Sequence, residues 1–66
     1  YIQGFKITER EKEIIGQILA GGSNKEIAYN LTITEKTVKN HIYNIFQKCK
    51  VQSRIEMIVL MNKYRV

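Results

Sequence analysis

The sequence contains no proline, one cysteine (Cys49) and no uninterrupted apolar run longer than Met57 to Met61. A lone cysteine forms no internal disulfide and supplies no cysteine-based zinc cage, so helix or sheet packing alone has to hold the fold. The apolar runs fall far short of the roughly 18 residues a membrane span needs, and no charged start followed by an apolar stretch resembles a signal peptide. A cytoplasmic protein is expected. No glycine-rich phosphate loop appears, nor any cluster of His, Cys and carboxylates at metal-ligand spacing. No catalysis, metal or cofactor is therefore expected of this segment. One further absence is local: from Lys36 to Arg54 there is no acidic residue, whereas Glu9, Glu11 and Glu13 gather near the beginning.

What is present fits one small domain. Sixty-six residues, 44% hydrophobic and 26% charged, support a single shared core and no more. The net charge of +5 and a pI near 9.6 favour an anionic partner, with Lys36, Lys39, Lys48, Lys50 and Arg54 concentrating the positive field in the second half. The chain opens on Tyr1, and residues 1–6 show no clear period. They read as the remnant of a linker cut from a longer protein, with the domain itself over residues 7–66.

Hydrophobic period and capping signals divide the rest into four helices and no strand. Thr8 with Glu11, Ser23 with Glu26, and Ser53 with Glu56 each match the capping box, in which a hydroxyl caps free amides and a carboxylate three residues on reaches back. Ile14, Ile15, Ile18 and Leu19 mark the inner face of the first helix, which should stop at Gly21 and Gly22. Ile27, Ala28 and Leu31 mark a short second helix, broken by Thr32 and Ile33. Thr34 caps the third, whose apolar stripe runs through Val38, Ile42, Ile45, Phe46 and Cys49. Gly16 lies inside the first helix and costs about 1 kcal/mol relative to alanine. In the last helix Ile55, Ile58 and Val59 are expected to point inward, leaving Met57, Leu60, Met61 or Tyr64 partly exposed.

The predicted fold is an all-α, four-helix bundle with a central helix-turn-helix from Ser23 to about Cys49. That arrangement presents the outer face of its second helix to the major groove of DNA. The ordered set Thr8-Glu9-Arg10-Glu11 with Glu13, Gly22-Ser23-Asn24-Lys25-Glu26-Ile27-Ala28, Leu31, Ile33, Thr37-Val38-Lys39, His41, Ile45, Lys48, Val51 and Ser53-Arg54 resembles the LuxR-type (GerE-like) helix-turn-helix domain. This is the domain at the C-terminus of bacterial response regulators and quorum-sensing activators. The resemblance runs from Ile7 to the last helix. Thr34 stands where the family commonly has serine, and Cys49 where leucine or methionine is usual.

The resemblance implies that Lys39, Asn40 and Tyr43 face base edges. Their chemistry suits that role: lysine donates to guanine O6 or N7, asparagine pairs with adenine N6 and N7, and tyrosine can pack on a thymine methyl. An ordinary solvated helix face is the plainer alternative for all three. Phosphate contacts are expected from Lys36, Thr37, Lys48 and the amides opening the second helix near Asn24 and Lys25. Lys25 and Arg54 could instead pair with Glu26 or Glu56. His41 reads as a packed or capping side chain, because Cys49, the only conceivable nucleophile partner, lies eight residues or about 12 Å along the same helix. The family also implies that the last helix, through Met57, Leu60, Met61 and Tyr64, makes a homodimer on a pseudo-palindromic double-stranded DNA site. A receiver-linked response regulator is the leading expectation and an autoinducer-binding regulator the nearest alternative. A helical module docking on RNA polymerase or another protein without base readout is the rival from a different class, and a membrane-surface helix a weaker one, because the apolar stripe of the basic helix is needed inside.

Overall fold

A computed structural model describes residues 6–63. It contains α1 (Glu9–Leu19), α2 (Asn24–Leu31), α3 (Glu35–Cys49) and α4 (Arg54–Lys63), with no strand among the described residues. Each boundary has a local cause. The Thr8 hydroxyl accepts the Glu11 N–H at 3.1 Å while the Thr8 N–H donates to the Glu11 carboxylate at 2.9 Å. Ser23 and Glu26 repeat the reciprocal pair at 3.1 and 2.8 Å. Thr34 caps α3 through the Thr37 N–H at 3.1 Å. The third predicted box forms only in part: Ser53 accepts the Glu56 N–H, but the Glu56 carboxylate takes the N–H of Gln52 rather than of Ser53.

α1 gives way to a turn in which Gly21 adopts φ +87°, a conformation side chains rarely tolerate. At Gly22 an added Cβ would lie 3.2 Å from the Gln17 carbonyl oxygen, so a side chain there would push that carbonyl by a few tenths of an ångström where the chain turns back toward α2. Thr32 (φ 59°) and Lys50 (φ 57°) are left-handed and terminate α2 and α3 without glycine. In the turn after Thr32, the Ile33 N–H reaches back to the Ala28 carbonyl at 3.0 Å.

The core is drawn from all four helices: Ile14, Ile15 and Ile18 of α1, Ile27 and Ala28 of α2, Val38, Ile42, Ile45 and Cys49 of α3, and Met57 and Met61 of α4. α3 packs chiefly on α2 and α1, and α4 lies against α1. No buried side-chain nitrogen or oxygen among the described residues lacks a hydrogen-bond partner.

The inward face of α4 differs from the expected one, although Ile58 does pack partly against the core. Met57 and Met61 are fully buried, whereas Ile55 is 75% and Val59 52% exposed; Ile58 and Leu60 are intermediate. Met57/Met61 and Ile55/Val59 are both apolar pairs at i, i+4, on opposite sides of the helix. Because α4 is apolar all round, period alone does not choose a face. The unbranched methionines, which adapt readily to core gaps, take the inward face of the helix, which lies against α1. Tyr64 and residues 1–5 lie outside the described residues.

Candidate nucleic-acid interface

The helix-turn-helix holds α3 by one side and leaves the other open. Val38, Ile42, Ile45 and Cys49 face the core, while Lys36, Lys39, Asn40, Tyr43, Asn44, Gln47 and Lys50 are exposed. Lys36, Asn40, Tyr43 and Gln47 succeed one another at steps of four, three and four along a single line. Tyr43, 64% exposed, stands at its middle with Lys39 on one flank and Asn44 on the other. Expectation named Lys39, Asn40 and Tyr43 on this face but missed Asn44 and Gln47. The missing signal was available as the complement of the apolar stripe, since whatever lies opposite Val38, Ile42 and Ile45 must face outward.

At the start of α3, the Thr37 hydroxyl shares a hydrogen bond with that of Thr34 at 2.9 Å. This fixes a half-buried side chain at the edge of the exposed face. Lys36, one residue before it, is exposed. Together with Lys39 and with Lys50 at the end of α3, also exposed, it gives this face a positive surface suited to a polyanion.

The start of α2 is held from α4. Arg54 Nη1 donates to the Gly22 carbonyl at 3.0 Å and Nη2 to Asn24 Oδ1. Neither of the pairings weighed for Arg54 and Lys25, with Glu56 and Glu26, is present among the described residues. The Ser23 N–H, then its hydroxyl, holds the exposed Glu26 carboxyl below its ordinary value.

Lys48 behaves differently from the other lysines. Its ammonium donates to the Glu11 carboxylate at 2.6 Å and to the Lys6 carbonyl at 3.3 Å. Glu11 is only 4% exposed. Burial pushes its carboxyl up, but the hydrogen bonds from Lys48 and Thr8 and the charge of Lys48 outweigh that and leave it below the ordinary value. Next to it, Cys49 is buried, and desolvation together with the Glu11 charge raises its thiol, against a smaller opposing effect of Lys48. A buried thiol kept protonated is a packing group, not a nucleophile. Among the described residues no three His, Cys, Asp or Glu come together as a metal site, and no helix is long and apolar enough to cross a membrane.

A short helix, a tight turn and a longer helix with one buried apolar face and one exposed basic and amide-rich face define a helix-turn-helix DNA-binding domain. Comparison with known proteins identifies the family. Residues 6–61 match the profile of bacterial regulatory proteins of the luxR family, and the chain belongs to that family. It is 46% identical over 56 residues to the CsgBAC operon transcriptional regulatory protein of Escherichia coli, covering 85% of this chain and 26% of that protein. It is 45% identical over 60 residues to the transcriptional regulatory protein LnrK of Bacillus subtilis (91% and 27%). With the nitrate/nitrite response regulator protein NarP of Escherichia coli it shares 42% over 59 residues (89% and 27%). The chain spans about a quarter of the length of these relatives. The family is one of transcriptional regulation, not of catalysis.

Proposed function

We propose that the chain is the output domain of a two-component response regulator that binds a pseudo-palindromic DNA site as a homodimer in the bacterial cytoplasm. The observation that carries the reading is the exposed line on α3, held outward because Val38, Ile42 and Ile45 are locked in the core on the opposite side. In this reading Lys39, Asn40 and Tyr43 meet base edges, and Asn44 and Gln47 extend the same face. Lys36, Thr37 and the first amides of α2 at Asn24 and Lys25 meet phosphates. The exposed apolar pair Ile55 and Val59, with the half-buried Leu60, meets the same pair on a second copy. Residues 7–66 form the domain, and the signal-receiving part is a separate unit. The response-regulator assignment is supported by the similarity to NarP.

Selection of binding sites from a random duplex pool, followed by titration of the selected site against scrambled DNA at several salt concentrations, tests this directly. An inverted repeat preferred over scrambled DNA by about 10³ or more is expected. Lys39→Ala should relax the preference at one base position, by roughly 1 to 3 kcal/mol. Salt-dominated binding with no enriched motif would refute base readout by α3.

A further inference from the structure

Lys48 was expected on phosphate, yet its ammonium is turned into the protein and seated on a buried carboxylate. We propose that Lys48 and Glu11 are a positioning pair, which fixes the tilt of α3 against α1 and so holds the base-reading face in register, and that Lys48 makes no phosphate contact. This role rests on the reading that the outer face of α3 meets bases.

The geometry gives the pair leverage. The first half of α3 is gripped by α2, where Val38 and Ile27 are both fully buried and the Ile33 N–H ties the turn to Ala28. Lys48 lies in the last turn, at the other end, and reaches the first turn of α1, where Glu11 also closes the Thr8 capping box. Through the Lys6 carbonyl the same ammonium holds the backbone where the chain runs into α1. With Val38 as the pivot, a tilt of about 5° at the released end shifts Gln47, nine residues on, by about 1 Å and Tyr43, five residues on, by about 0.6 Å, more than the ~0.5 Å within which a binding constellation has to be held. The ammonium is also spent on partners inside the protein, so its contribution to counterion release on DNA is small.

The test uses the duplex that the unsubstituted chain selects from a random pool, titrated against its scrambled counterpart over a range of salt. Lys48→Met leaves Glu11 buried and unpaired and can unfold the domain. The deciding variant is therefore Glu11→Gln with Lys48→Met, which removes both charges and keeps a capping-box residue at position 11. All binding is measured where circular dichroism shows full helicity. The double variant is expected to lose about tenfold or more of the preference for the selected duplex, the equivalent of one misaligned bidentate base contact. Its salt slope should stay that of the unsubstituted chain, and Lys48→Arg alone, with Glu11 intact, should retain the preference. An unchanged preference in the folded double variant would reduce the pair to a stabilising role and overturn the proposal. A salt slope lower by about one would return Lys48 to the phosphate contacts and overturn it equally. Absence of any preference in the unsubstituted chain would remove base readout itself, and the positioning role with it.

Discussion

Replacing Met57 by alanine and, separately, Ile55 by alanine distinguishes the two possible inward faces of α4. Met57 is fully buried, and Ile55 is 75% exposed. Truncating a buried methionine forfeits its transfer free energy and leaves a cavity, together about 2–5 kcal/mol. A domain of this size has a total stability of roughly 3–10 kcal/mol. Met57→Ala therefore removes a large share of it, and at about 4–8 °C per kcal/mol the midpoint should fall by about 8–40 °C. Ile55→Ala removes a side chain mostly in water and should cost within about 0.5 kcal/mol, or under about 4 °C. Thermal melts followed by circular dichroism at 222 nm, on dilute protein without DNA, read both. Equal shifts, or a larger loss from Ile55→Ala, would refute the placement of the methionines in the core and of α4 on α1.

Three other outcomes follow from the core and its ion pair. Because the Glu11 carboxyl is held below its ordinary value of 4.5, the stability it contributes is complete at neutral pH and above its unfolded pKa. That contribution declines as the pH falls below 4.5 and is gone once the pH has passed below the depressed folded value. Denaturant melts across that range should show a shallower acid loss for Glu11→Gln than for the unsubstituted chain, and identical slopes would refute the pairing. Cys49, buried and with its thiol pushed up, should react with iodoacetamide many times more slowly in the folded chain than in denaturant, which mass spectrometry reads; equal rates would contradict its burial. Val38→Asp places an unpaired charge where the side chain is fully buried and should unfold the domain. Retained helicity and melting temperature would overturn the placement of Val38.

Helix starts and stops were legible because their chemistry is local. Thr8, Ser23 and Thr34 each cap the amide of the residue three positions on, and that spacing can be read without any knowledge of tertiary structure. The outward face of α3 was legible for a related reason, since its buried side repeats with a clean helical period. What escaped depends on contacts between distant segments. Glu11 and Lys48 are 37 residues apart, and nothing in either neighbourhood says that one buries the other's charge. Arg54 and its partners Gly22 and Asn24 are 30 or more residues apart, so the local alternative with Glu56 looked equally good. α4 failed for the opposite reason: with apolar residues all round, it offered two equivalent inward faces, and its own period does not choose between them.

The exposed pair on α4 also bears on when two copies meet. Ile55 and Val59 are exposed, with Val51 and Leu60 half-buried beside them. An apolar patch of this kind is on the order of a few hundred Å², well below the ~800 Å² per partner of a stable interface. By itself it supports only weak association. In the proposed dimer, phosphate and base contacts would hold two copies on adjacent half-sites, and the contact between the α4 pairs would then be made at an effective concentration of about millimolar. The domain should accordingly sediment as a monomer at micromolar concentration, yet bind a two-half-site duplex cooperatively. Val59→Glu should abolish that cooperativity while leaving affinity for a single half-site unchanged, because the side chain is 52% exposed and its replacement does not open the core. A dimer persisting at micromolar concentration without DNA would show that a larger surface joins the copies. An equal loss on single and paired half-sites would show that Val59 supports the fold or the DNA contact and not the second copy.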